Sequence, residues 1–374
     1  MKNGFLILLI SSSIFISGCW DQKIYEQIGF MLQVGMEKSK TSEDILITYT
    51  SPVIGTDEKG RIEILSTTAG ILRGARENVR RQSARTLEGG KVQQVLISEE
   101  LAKLGIHNLT EIFERDPHNP ALAWIVITEG SPLEIFEKAA DFKDKPRPAI
   151  YINQLMESNV KSSYIPETRI YDFKIIYFAE GIDPTAPLIK LTPNSVMIVG
   201  SALFSGDKMV GKIDHQKTAL MVSMRGMLRR SEYIAPAPDI AEAPKGKRLE
   251  AETQIAVMLM GVKRKISIDI EDNKPVVKIF LDFEATLDEF KWDKTGELSV
   301  QHKIEEHLEK HIKKECTELV KYLQEIESDP IGIGDLVRAK HNDYWKDIEW
   351  KEIYKKADIS VDVNLKLKSF GAIE

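Results

Sequence analysis

Apolar and polar positions alternate most regularly in the last third of the chain. Ile266, Ile268 and Ile270 alternate with Ser267 and Asp269. Val277, Ile279, Leu281, Phe283 and Ala285 alternate with largely polar neighbours, Phe280 being the exception. At the end of the chain Ile359, Val361, Val363, Leu365 and Leu367 alternate with Ser360, Asp362, Asn364, Lys366 and Lys368. A period of two predicts strands that bury one face. Between them, Ile304, Leu308, Ile312, Cys316, Leu319 and Leu323 fall on one face of a long helix predicted from about Val300 to Glu327. One-faced strands with such a helix imply a mixed sheet with helices packed on one side.

The first two thirds alternate shorter elements. Ile45, Ile47 and Tyr49 mark a half-buried strand over 44–50, and a helix is predicted from about Thr68 to Leu87, stopped by Gly89-Gly90. A strand follows from Lys91 to Ile97, then a short helix opened by Ser98-Glu99-Glu100, with acids where the helix dipole favours them. Asn108-Leu109-Thr110-Glu111 begins another helix, which Asp116-Pro117 ends, and Ala121 to Thr128 is an apolar strand. Ser131-Pro132-Leu133-Glu134 is a capping-box pattern with proline at the first helical position. Ile170, Phe173, Ile176 and Tyr177 line one face of a helix that Gly181 closes. Ser195 to Phe204 and Lys208 to Ile213 read as a hairpin across Ser205-Gly206-Asp207, with a helix near Lys217 to Met227 after it.

Proline and small residues concentrate from Ala235 to Gly246, the best linker in the chain. The expected organisation is therefore a leader over 1–18, an N-terminal α/β region over 19–192, a hairpin and helix over 193–234, a linker over 235–248 and a C-terminal mixed-sheet domain with the long helix over 249–374. The fold class is multi-domain α+β, with helices packed against mixed sheets.

The leader adds an address. Lys2 precedes an apolar run from Phe5 to Ile16, and Ile16-Ser17-Gly18-Cys19 closes it with small residues before a cysteine. That is a secretory signal of the lipoprotein kind, in which Cys19 takes a diacylglyceryl group and becomes the mature N-terminus. The run is too short to span a bilayer, which needs roughly 17–25 apolar residues. Two acyl chains suffice as an anchor where one would not. With Cys19 acylated, Cys316 is the only other cysteine and no intrachain disulfide can form. The formal net charge of −6 becomes −7 when Lys2 leaves with the leader, which argues against nucleic acid as a partner.

Motifs that would carry chemistry are incomplete. Gly206 to Lys212 follows the phosphate-loop spacing, but Ile213 stands where a hydroxyl should hold magnesium, and the stretch reads as a hairpin. His307 and His311 share a helix face near His302 and Cys316, without a third ligand at closed-site spacing, so no metal and no cofactor are expected. Arg73, Arg76, Arg80, Arg81 and Arg85 crowd one predicted helix, either as a solvated face paired with Glu77 and Glu88 or as a surface for anionic lipid or an acidic protein. Nucleophile and zinc-protease signatures are missing, so no enzyme is proposed.

Several stretches together resemble one family. Gly18-Cys19-Trp20-Asp21 is similar to the mature start of the Ger(x)C lipoproteins, the C subunits of GerA-type spore germinant receptors. The resemblance continues through Val95-Leu96-Ile97-Ser98-Glu99-Glu100-Leu101-Ala102 with Gly105-Ile106, Arg115-Asp116-Pro117, and Gly181-Ile182-Asp183-Pro184. It extends to Gly200-Ser201-Ala202-Leu203-Phe204, Lys208-Met209-Val210-Gly211, Asp329-Pro330-Ile331-Gly332-Ile333-Gly334, Tyr344-Trp345-Lys346, Trp350 and Gly371. Two departures are Gly35-Met36-Glu37, where the family often has Gly-Ile-Asp, and His118-Asn119-Pro120, where an acid and an arginine are common.

The resemblance implies three mixed α/β domains and a non-enzymatic, lipid-anchored subunit of a nutrient germinant receptor. It implies assembly with membrane A and B subunits at the outer face of the spore inner membrane. Cys19 is the functional residue it transfers. The loops at Arg115 to Pro120 and Asp329 to Asp335 are expected partner contacts, through Arg115 and Asp335, because each sets charge in a turn-forming stretch. The rival expectation is a lipoprotein that captures a small solute itself, which should show two similar lobes around a cleft.

Overall fold

Strand-forming runs organise the chain into two large sheets. The computed structural model describes residues 27–53, 62–115, 120–237, 254–290 and 297–369. The elements run β1 (Ile28–Phe30), β2 (Gln33–Lys38), β3 (Ile45–Pro52), β4 (Ile62–Ala69), α1 (Leu72–Arg80), β5 (Thr86–Glu88), β6 (Gln94–Ser98), α2 (Glu99–Ala102), α3 (His107–Arg115), β7 (Trp124–Glu129), α4 (Pro132–Ala140), α5 (Pro148–Lys161), α6 (Ile170–Tyr177), β8 (Thr185–Thr192), β9 (Ser195–Ser205), β10 (Lys208–Asp214), α7 (His215–Met224), β11 (Ser231–Pro236), β12 (Gln254–Glu271), β13 (Lys274–Glu289), α8 (Leu298–Glu325), α9 (Ile333–Lys340), α10 (Asn342–Lys346), α11 (Trp350–Tyr354) and β14 (Asp358–Ser369).

The first sheet has eight strands in the order β10-β9-β8-β7-β6-β2-β3-β4. Its middle pairings, β2 to β6, β6 to β7 and β7 to β8, are parallel, and both flanks are antiparallel hairpins. Central parallel strands are covered on both faces. Alternate side chains separate accordingly: Val95, Ile97, Ile125 and Ile127 pack with Leu72, Val79, Phe113 and Phe173, while Leu96 and Val126 pack with Phe136, Ile152 and Met156. This sheet therefore carries helices on both sides.

The second sheet, β11-β12-β13-β14, is antiparallel except for the parallel β13–β14 pair. One face lies under α8, whose predicted stripe from Ile304 to Leu323 is buried throughout. Lys263, Lys265 and Ser267 on the other face of β12 are exposed. The expected mixed sheet with helices on one side is this one, and the molecule is multi-domain α+β.

Several element bounds differ from the sequence expectation, the strands expected from Lys91 and Ala121 starting at Gln94 and Trp124. The helix expected from Thr68 to Leu87 is shorter, because Thr68 and Ala69 finish β4 and Thr86 to Glu88 form β5. Strand partners decide both ends: Thr68 faces Leu46, and Thr86 pairs in parallel with Ile28. Gly226, in the left-handed region at φ 75, ends the helix near Lys217 to Met227 after Met224. Ala235 and Pro236, at the start of the expected linker, are the last residues of β11 and pair with Ile255 and Gln254, and most of the linker lies outside the described residues. Proline is tolerated there because β11 is an edge strand. The hairpin of 193–234 joins the first sheet, whereas β11 joins the second.

Candidate functional site

The two sheets are joined at a buried polar knot. Asp329, 1% exposed, follows α8 and precedes α9. Its Oδ1 accepts from the backbone N–H of Gly332 at 2.9 Å and of Ile333 at 3.1 Å. Its Oδ2 accepts from Gly334 N–H at 2.8 Å and from the Trp350 indole Nε1–H at 3.2 Å. One carboxylate thus satisfies the first free N–H groups of α9 and fixes α11 as well. Gly332, at φ 78, supplies the left-handed turn that aims those N–H groups inward.

The first sheet enters this knot through the segment before β8. Asp183 Oδ2 accepts from Asp329 N–H at 2.9 Å, and Asp183 N–H donates to the Asp329 carbonyl at 2.9 Å. Asp183 Oδ1 accepts from Gly206 N–H at 2.8 Å in the β9–β10 turn. Asp335 N–H donates to the Gly181 carbonyl at 2.8 Å, and the Ser328 hydroxyl to the Phe204 carbonyl at 2.6 Å. Burial pushes the Asp329 carboxyl up to about 7, Asp183 adds to the rise, and the three backbone donors pull the other way. The Tyr354 hydroxyl is buried beside the same pair, and burial raises it well above its ordinary value.

This geometry corrects the expectation for Asp329 to Asp335. The stretch from Asp329 to Gly334 is buried, and its turn residues serve an internal cap. Asp335 itself is half-exposed on the first turn of α9 and pairs with Arg338 at 3.1 Å. Arg115 ends α3, and its side chain and residues 116–119 lie outside the described residues, as does Cys19. Asp335→Ala should lower the unfolding free energy by no more than about 1 kcal/mol, the worth of a partly exposed ion pair. Denaturant titration checks this, and a loss above about 2 kcal/mol would make Asp335 part of the joint. The readable signal for the knot was Asp-Pro-x-Gly-x-Gly before a helix, an acceptor placed ahead of consecutive backbone donors.

The other motifs resolve into packing and surface pairs. Gly206 is the hairpin turn, and Lys212 bridges Glu99 at 3.0 Å and Glu129 at 2.6 Å. His307 Nε2 meets the Pro236 carbonyl at 2.7 Å, and burial lowers His311 beside Tyr233. Cys316 is fully buried, its thiol pushed up to about 12. Among the described residues no three His, Cys, Asp or Glu side chains are grouped to hold a metal ion. On α1, Arg76 reaches Glu88 at 3.8 Å, Arg80 reaches Glu77 at 3.4 Å, and Arg81 donates to Asn78 Oδ1 at 2.7 Å.

An open cleft of about 680 Å³ lies at the carboxyl ends of β2 and β6, lined by Glu37, Lys38, Ser98, Glu100, Ser131 and Glu134. The Ser98 and Ser131 hydroxyls there already accept from Leu101 and Glu134 N–H as helix caps. No helix among the described residues is long and apolar enough to cross a membrane.

Known proteins share this construction in both halves. Residues 21–191 match the family described as spore germination protein N-terminal domain, and residues 199–371 match spore germination B3/GerAC like, C-terminal. The chain belongs to the Ger(x)C family of spore germination proteins. It is 22% identical to spore germination protein GerQC of Bacillus cereus, with both chains covered in full. It is also 22% identical to spore germination protein B3 of Bacillus subtilis (strain 168), over 96% of this chain and 95% of that one. The crystal structure of the GerBC protein shares the fold, with a TM-score of 0.57 at 19% identity over 90% of this chain and 96% of that one. In this Ger(x)C chain the knot ties the two family segments together, Gly181 to Asp183 lying in the first and Gly206 and Asp329 in the second.

Proposed function

We propose that this Ger(x)C protein is a non-enzymatic subunit of a nutrient germinant receptor, anchored by diacylglyceryl Cys19 to the outer face of the spore inner membrane. It is required for germination through assembly with membrane A-type and B-type subunits. The observation that carries this reading is the similarity to spore germination proteins along the whole chain. The knot supports it, because a body stitched at Asp183 and Asp329 presents its surfaces to partners in one fixed arrangement. Arg115 and Asp335 are the proposed contacts, on α3 and α9.

The anchor is the direct test. Cys19→Ala should abolish incorporation of a labelled fatty acid and remove the processed form from the inner membrane. Germination in response to nutrients should be lost with it. Label retained on the Cys19→Ala chain would refute the lipoprotein assignment. Normal levels of the A and B subunits with normal germination would refute the assembly role.

A further inference from the structure

We infer that the end of the first sheet where the described chain begins is a docking face for an anionic lipid surface. The strand register defines this end. Gln93 N–H donates to the Leu32 carbonyl, Trp124 N–H donates to the Gln93 carbonyl, and Gln94 Nε2 donates to the Ala149 carbonyl at 3.0 Å. The starts of β2, β6 and β7 and of α5 therefore lie side by side. β1 enters here too, pairing in parallel with β5 one residue after Arg85, whose guanidinium reaches the Pro52 carbonyl at 3.3 Å.

Cations collect at this end although the whole chain carries a formal charge of −6. Arg81, past the end of α1, is exposed and donates to a neutral amide, so its charge remains whole. Lys91 is exposed in the turn before β6, and Arg147 is half-buried just before α5, its side chain making no cap bond. The carboxylates nearby include Glu77, held by Arg80, and Asp144, paired with Lys145 at 3.2 Å. At the opposite end the carboxylates are paired: Lys212 bridges Glu99 and Glu129, Lys103 holds Glu99 at 2.8 Å, and Lys38 faces Glu100 at 3.8 Å.

Two exposed apolar side chains accompany the cations. Leu122, just before β7, is 72% exposed, and Ile150, on the first turn of α5, is 42% exposed. Basic side chains with neighbouring apolar ones are the combination that holds a body at a lipid interface. An acidic protein partner would use the charge but has no stated need for a chain entry at the same place. A lipid anchor does. Gln27 is eight residues after Cys19, and eight residues reach no further than about 28 Å when extended. Screened attraction acts over about 8 Å, so a tether of that length presents this end first. This choice of occupant rests on the anchored-subunit reading.

The test reconstitutes the full chain with its own anchor on phosphatidylcholine vesicles and on the same vesicles with phosphatidylglycerol added. A fluorophore on Ala84→Cys, an exposed site between Arg81 and Arg85, reports docking through a headgroup-borne quencher; the buried Cys316 does not compete for label. Quenching is expected on anionic vesicles only, and it should fall as salt rises. Combined Arg81→Glu, Lys91→Glu and Arg147→Glu changes should lower the docking constant at least about a hundredfold, at about fivefold per basic residue. Leu122→Ser, which changes no charge, should weaken docking separately. Equal quenching on both vesicle types, or quenching that survives the triple reversal, overturns the proposal. So does loss of germination by the triple variant with quenching unchanged, which would assign the face to an acidic protein. Failure of the anchor shows up as a chain that does not float with neutral vesicles, and flotation with anionic vesicles alone then still tests the cations.

Discussion

Asp329→Asn is expected to lower the unfolding free energy by about 2–6 kcal/mol, with the change read from the denaturant midpoint. The aspartate carboxylate accepts from four N–H groups, of Gly332, Ile333, Gly334 and Trp350, at 2.8 to 3.2 Å. Asparagine has the same size and shape but offers only one accepting oxygen, and its amide nitrogen is a donor. Whichever way the amide turns, two buried donors face a third, and each unsatisfied group costs roughly 1–3 kcal/mol. Relief from burying a charge offsets part of this, because burial already pushes the carboxyl up to about 7. A loss below about 1 kcal/mol would mean that the knot is not what holds the halves together. Reduced steady-state level in the membrane is the cellular counterpart.

Gly181→Ala should destabilise by about 3 kcal/mol, combining overpacking with loss of a buried hydrogen bond. A methyl at Gly181 would stand 2.3 Å from Asp335 N and 2.5 Å from the Gly334 carbonyl carbon. Both atoms are backbone, so no side chain can swing aside. The two segments must separate, and the Asp335 N–H bond to the Gly181 carbonyl at 2.8 Å is the first casualty. Gly261→Ala is the matched control, since nothing lies within 4 Å of the methyl it would add. Equal midpoints for the two variants would show that the halves can part without cost.

Legibility followed how locally each feature is encoded. The stripe from Ile304 to Leu323 and the alternation from Ile359 to Leu367 predicted α8 and β14, because both buried faces repeat with the period of their own element. Ser131-Pro132 placed the start of α4 to the residue, and Ser98 that of α2, because capping is a contact within four residues. The helix over Thr68 to Leu87 was drawn too long because both its ends belong to strands that pair with distant segments. Asp329 to Asp335 carries the residues of an exposed turn, and only the approach of Gly181 to Asp183 from 146 residues away turns it into a buried joint.

By itself the sequence determined the α+β character, the one-faced C-terminal sheet, the position of most elements and the family resemblance that the full-length relatives bear out. Each of these depends on periodicity or on short ordered motifs, which survive without knowledge of contacts. Tertiary structure decided that the hairpin before the linker completes the first sheet while β11 edges the second. It also decided that Asp183 and Asp329 meet, and that the starts of β2, β6, β7 and α5 lie side by side. Such juxtapositions are set by which strand ends lie together in the sheet, and strand order is a long-range property that no local pattern of residues records.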